Sequence, residues 1–294
     1  MEYKKGDKIV MGKLTSKKEF DDSVYDVLLT KFKDELKAEL KGYYVWDFDE
    51  LTLDGVAASD FIEDIQKIKK YEDKEKEKEI PKKTIKIKKE LKNHINDDEK
   101  FKKWIVTKWG GINNLPSNLM EKEIDDNLDF DSISSFSKVA SFIDCEKYAV
   151  YDSRVAFTLN WLIFINHWHE KDGGKMKFFR QPDGRNGKMQ KHNQETIFNI
   201  KYENYDENDE FYYKKRETYH KYCKLLRETC AFGKSSFKYK SFKDNISVGA
   251  LEMCLFSIAA KDSRKGSIKT KYEDEGGFIT DDMDNRIKIE ILCN

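Results

Sequence analysis

Apolar side chains recur three and four positions apart along much of this chain. Val24, Val27, Leu28, Phe32, Leu36 and Leu40 follow that spacing and predict an amphipathic helix over residues 21–40, ended by Gly42. Residues 57–68 read as a second helix capped by Ser59. Phe101, Trp104, Ile105 and Trp109 predict a third over 97–109. It stops at Gly110-Gly111, where the pair either ends the helix or lets the backbone approach something closely. Further helices are expected over 117–127, 137–143, 153–168, 211–232 and 244–260, with a turn over 129–137. Two of these, 153–168 and 248–259, are apolar on almost every side, the pattern of helices buried all round. Strict alternation is confined to Ile287, Ile289 and Ile291, which can pair with a short strand near Ile9. The fold class is therefore mainly α, with a minor β element from the termini.

Charge divides the chain further. Residues 67–92 form a lysine and glutamate tract broken by Pro81, which sets apart an N-terminal helical part (1–66), a charged excursion (67–96), a core (97–170) and a C-terminal helical part (171–294). Such a tract is commonly a solvated helix or an excursion. Lys82, Lys83, Lys86, Lys88 and Lys89 lie together with Glu90, and for a nucleic-acid ligand they are the first candidates for backbone contacts. Over the whole chain 55 basic side chains balance 55 acidic ones, so nucleic-acid binding would need a local basic face. Cys145, Cys223, Cys230, Cys254 and Cys293 are scattered and form no CxxC pair. They read as reduced thiols of a cytoplasmic protein, not a disulfide frame or zinc site. Neither a bilayer-spanning run nor a signal-peptide core is expected.

The chemistry concentrates between Ser132 and Trp168. Asp152 stands at the mouth of the predicted buried helix, a place where charge survives only if paired or used. Two successive helices can bring it together with Lys138. Ser137-Lys138-Val139-Ala140, followed by Val150-Tyr151-Asp152-Ser153-Arg154-Val155, resembles the paired motifs of the helix-hairpin-helix DNA glycosylases. In that superfamily the second hairpin helix opens with Lys-Thr-Ala or Lys-Val-Ala, and a Val-Asp-Thr-His-Val type segment follows. The resemblance covers roughly residues 118–168 and implies a glycosylase-like helical bundle. It places Asp152 at the catalytic aspartate and Lys138 at the lysine that attacks the sugar in bifunctional members. Residues 171–294, beyond the resemblance, are expected to complete a cleft for DNA and a flipped base. The family's Gly-Val-Gly, whose amides grip a phosphate, is replaced here by Ser134-Ser135-Phe136. Hydroxyls of Ser134, Ser135 and Ser137, with Arg154, Lys82 and Lys83, are then the DNA-binding candidates. The connection from Lys138 to Asp152 is also about a helical turn shorter than usual, and no iron–sulfur loop follows, so no cofactor is implied.

Residue types support the same chemistry. Breaking an N-glycosidic bond develops positive charge on the sugar, which a fixed carboxylate stabilises. A desolvated lysine can attack the sugar carbon and form a Schiff base. The base must first leave the stack for a pocket. Phe178, Phe179, Arg180, Gln181, Asp183, Arg185 and Asn186, in the glycine-rich loop over 171–193, are candidates to line it. The expected partner is double-stranded DNA, bound by a monomer. By analogy such a stand-alone enzyme acts on unusual bases, for example hypermodified ones in phage DNA, which would make it a defence enzyme. Plainer roles stand beside these: Asp152 as a helix cap, Lys138 as a phosphate contact or solvent-facing cation, and Arg154 as a partner of Asp152 or of a phosphate. His167 and His169 are two apart and point to different helix faces, so no metal is expected. A non-catalytic DNA-binding protein on the same hairpin fold is the alternative function. A metal-dependent nuclease, hinted at by His192-Asn193, comes third.

Overall fold

The apolar run at 248–259 becomes a helix against which three others pack. The computed structural model describes residues 18–37, 84–86, 88–89, 91–92, 99–112, 115–116, 130–169, 176–182 and 211–265. In chain order the elements are α1 (Asp22–Lys37), α2 (Glu99–Trp104) continuing into a π-helical turn (Ile105–Trp109), a 3-10 turn (Phe130–Ser132), α3 (Ile133–Ile143), α4 (Ser153–Ile165), α5 (Lys215–Ser235), a 3-10 segment (Phe237–Asn245) and α6 (Val248–Lys265). α6 packs against α1, α4 and α5, and α1 also packs against α5. The protein is mainly α. Among the described residues, β pairing amounts to one parallel bridge between Phe178 and Tyr212.

The hydrophobic pattern accounts for this arrangement. On α1 the inward face is Val24, Leu28, Leu29 and Phe32, all buried, together with Tyr25. α6 contributes Val248, Leu251, Met253, Cys254, Leu255 and Ala259, buried on several sides at once. One hydrophobic cluster runs from Phe20 to Ala259 and includes Leu91 from the charged tract. No described helix is long and apolar enough to cross a membrane. The four described cysteines, Cys145, Cys223, Cys230 and Cys254, are buried free thiols.

Several expectations change. α3 begins at Ile133, four residues before the predicted start, so Ser134, Ser135 and Phe136 lie in a helix and not in a hairpin turn. Ile133 and Phe136 are buried apolar residues that need that helical face, which overrides the turn preference of the serines. The charged tract is not a solvated excursion where it is described. Its residues are helical, with Thr84, Lys88 and Leu91 buried. The 3-10 segment after α5 was not expected. The predicted helices at 57–68 and 117–127, the paired terminal strands, and Lys82, Lys83, Asp183, Arg185, Asn186 and His192 lie outside the described residues.

Candidate active site

The start of α4 is built around Asp152. Its Oδ1 accepts hydrogen bonds from the amides of Arg154 at 3.0 Å and Val155 at 3.1 Å, satisfying two of the helix's free N–H groups. Its Oδ2 accepts from Arg154 Nε at 3.2 Å and Nη2 at 3.0 Å. The cap and the pairing with Arg154 are therefore both present. The Asp152 side chain is 11% exposed and that of Arg154 38%, with the guanidinium stacked 3.7 Å over the Phe256 ring of α6. Burial works to raise the Asp152 pKa, but Arg154, Lys138 and the Val155 amide outweigh it. The carboxyl is held below its ordinary range and is ionised at neutral pH.

Lys138 of α3 lies within electrostatic reach of Asp152. It is buried, and its Nζ donates to the Ser134 carbonyl at 3.0 Å. Burial lowers its pKa; Asp152 and Glu252 act against that, while Arg154 and Lys88 add to it. The result is an ammonium that gives up its proton more readily than a surface lysine does. Its stem lies against Gly110. A Cβ on that glycine would sit 2.4 Å from Lys138 Cδ and 2.7 Å from Cε. The π-helical turn sets the approach: the Gly110 amide bonds to the Ile105 carbonyl at 2.8 Å, and the Ile112 amide to Val106 at 3.0 Å. The glycine pair thus both ends the helix and admits a close neighbour.

The connection from α3 to α4 is clamped from three helices. Ser137 Oγ accepts from the Tyr151 amide at 2.9 Å. Tyr219 and Tyr222 of α5 donate to the carbonyls of Ala149 at 3.2 Å and Val150 at 3.1 Å. Glu252 of α6 accepts from the Val150 amide at 3.2 Å and pairs with Lys88 at 3.4 Å. The Lys88 and Glu252 side chains are 1% and 2% exposed, and the ammonium lies over the rings of Trp109 and Phe142. This buried pair was not anticipated. Its trace in the sequence is Glu252, the one charged residue in the apolar run 248–259.

The remaining candidates divide. Ser135 and Ser137 are buried, the latter committed to the Tyr151 backbone, so neither hydroxyl faces DNA. Ser134 is half-buried, and its carbonyl accepts the Lys138 ammonium. Lys88 is enclosed, which removes it from the expected phosphate-binding group, whereas Lys89 is exposed and pairs with Glu146. Phe178 and Phe179 belong to the core, packed on His169 and Tyr212 and on Tyr213 respectively. Asn160 of α4 holds the Phe179 backbone at both ends, with 2.7 Å bonds to its amide and carbonyl. Tyr151 Oη donates to the Arg180 carbonyl, tying this segment to the residue before Asp152. Beside it the Gln181 Oε1 is buried and accepts no hydrogen bond from the described residues. Trp104 and Trp109 pack on Phe101 and Phe142. No group of three metal-ligating side chains occurs among the described residues.

What fold and site define is a helical protein with an ionised, helix-capping aspartate and a buried lysine within its electrostatic reach. Comparison with protein families, curated proteins and solved structures finds no match for this chain.

Proposed function

We propose that this chain is a helix-hairpin-helix type DNA N-glycosylase that removes a damaged or modified base from duplex DNA and leaves an abasic site. The supporting observation is the Asp152 carboxylate, ionised and fixed at the start of α4, with Lys138 buried within its electrostatic reach. As the bond between base and sugar breaks, positive charge grows on the sugar. A preorganised carboxylate with little water around it stabilises that charge more than water does. The same oxygen orients the water that attacks C1′. In a lyase branch, neutral Lys138 attacks C1′ instead and the base departs with the bonding electrons; the new N–C1′ ammonium then loses a proton, and the C1′–O4′ bond breaks, O4′ taking up a proton, to leave a Schiff base.

An ionised carboxylate has about four acceptor positions, and the cap and Arg154 occupy four here. Catalysis requires Arg154 to leave Oδ2, and a DNA phosphate is the competing anion that would draw it away. If Arg154 stays, the second reading holds: a non-catalytic DNA-binding protein in which Asp152 only caps α4. Both readings place a monomer in the cytoplasm, which suits the free thiols.

The test is mass spectrometry of what wild-type protein releases from genomic DNAs of diverse base chemistry, hypermodified phage DNA included. Borohydride reduction runs in parallel. A released free base supports the glycosylase, and a trapped adduct lost in Lys138→Gln assigns the nucleophile. Binding of these DNAs without any released base favours the second reading.

A further inference from the structure

The 3-10 segment Phe237–Asn245 carries an exposed aromatic ring. Phe237 is 85% exposed, the one large apolar side chain so exposed among the described residues. The segment is nonetheless well anchored. Tyr239 and Phe242 are buried, Phe242 packs on Phe32 of α1, and Tyr239 donates to the Asp26 carboxylate. Lys238 pairs with the same Asp26 at 2.6 Å. The alternation leaves Phe237, Lys238, Lys240, Ser241 and Lys243 outward, with Lys240 Nζ 5.6 Å from the centre of the Phe237 ring. Lys238 is held by Asp26, so Lys240 and Lys243, set against Asp244, are the cations this segment offers a ligand. In a chain of zero net charge this is a small local excess of positive charge beside the ring.

We infer that this face binds single-stranded nucleic acid, with an unpaired base stacked on Phe237 and the lysines on flanking phosphates. The ring and the cations match the two parts of such a ligand, since every base has a π-face and every linkage a negative charge. The other anionic partner to weigh is a lipid surface. Membrane anchoring needs an apolar face of several side chains beside the basic ones. Here Phe237 is flanked by Ser235, Ser236 and Lys238, so one ring is all there is to insert. One ring suffices for one base. The inference does not depend on Asp152 being catalytic.

Fluorescence anisotropy with a labelled 20-nucleotide oligo(dT) tests it on the full chain, beside sedimentation with vesicles of phosphatidylserine and phosphatidylcholine. Phe237→Ala should weaken oligo(dT) binding roughly five- to 150-fold, the range for loss of one stacked base. Phe237→Trp should restore it. K240Q/K243Q should lower the slope of log affinity against log salt by about 1.4, from two lost phosphate contacts on a single strand. Unchanged affinity in Phe237→Ala overturns the inference. So does no oligo(dT) binding by wild type, or Phe237-dependent vesicle binding in its place.

Discussion

Replacing Glu252 by Gln keeps an acceptor for the Val150 amide but removes the charge opposite Lys88. The ammonium stays enclosed, 1% exposed, with the Trp109 and Phe142 rings 5.3 and 5.7 Å away as its remaining stabilisation. Ring contacts of this kind contribute about 0.5–2 kcal/mol each. Desolvation of a buried ion costs several kcal/mol, and breaking a buried pair from one side costs about 3–5 kcal/mol. The ring contacts are already present in the wild type, so they do not offset the loss. Glu252→Gln should therefore lower stability by about 3–5 kcal/mol. For a chain of this size that is a fall in Tm of roughly 6–20 °C. In K88M/E252Q the enclosed cation is gone while the Val150 bond remains. The double variant should return to within about 1 kcal/mol of wild type, a strongly non-additive outcome. Urea unfolding followed by circular dichroism and by tryptophan fluorescence gives both quantities, with coincidence of the two transitions licensing the free energies. If Glu252→Gln is as stable as wild type, or the double variant equals the sum of the singles, the pair does not hold α6 to the charged segment as argued.

Other expectations follow from single contacts. Gly110→Ala puts a Cβ 2.7 Å from the Val106 carbonyl as well as against the Lys138 stem, and only the stem can move. It should cost about 1–3 kcal/mol by overpacking. Gly111→Ala meets nothing within 4 Å and carries only the strain of a φ of +63°, about 1–2 kcal/mol. Thermal unfolding compares the two, and Gly110→Ala alone should impair base release. Asn160→Leu strands the amide and carbonyl of Phe179 and should cost about 2–5 kcal/mol, read from the urea midpoint. For Asp152 the folded pKa lies below the ordinary 3.8. Its ionised form stabilises the fold fully above that value, and the contribution fades as pH falls through the folded pKa. Asp152→Asn keeps a competent cap but lacks this term. Its stability deficit should be constant from pH 5 to 7 and shrink below about pH 4 in urea titrations.

Periodicity made α1, α2, α4, α5 and α6 legible, because each has a face or a whole circumference that must leave water. Asp152 as the start of α4 was legible for the same reason, being the polar residue before an apolar run. The start of α3 was not. Serine reads as a turn former, yet Ser134, Ser135 and Ser137 are small enough to sit in a packed helix, where Ser137 bonds back to the Ser134 carbonyl and across to Tyr151. The fate of Lys88 was hidden by distance, since its partner is 164 positions away. Local sequence shows five neighbouring lysines and nothing of Glu252. The rule that exposed Asp152 applies equally to Glu252, a lone acid in an apolar helix. Phe178 and Phe179 were placed in a loop by the glycines around them, whereas Asn160 fixes their backbone in the core.

The proposed role of Asp152 is chemical as well as structural. Single-turnover base release from a DNA that wild type processes, measured beside duplex affinity for wild type and Asp152→Asn, decides between the two. Release should fall at least a hundredfold in the variant with affinity changed less than threefold. Equal release by the two proteins would show that Asp152 only caps α4.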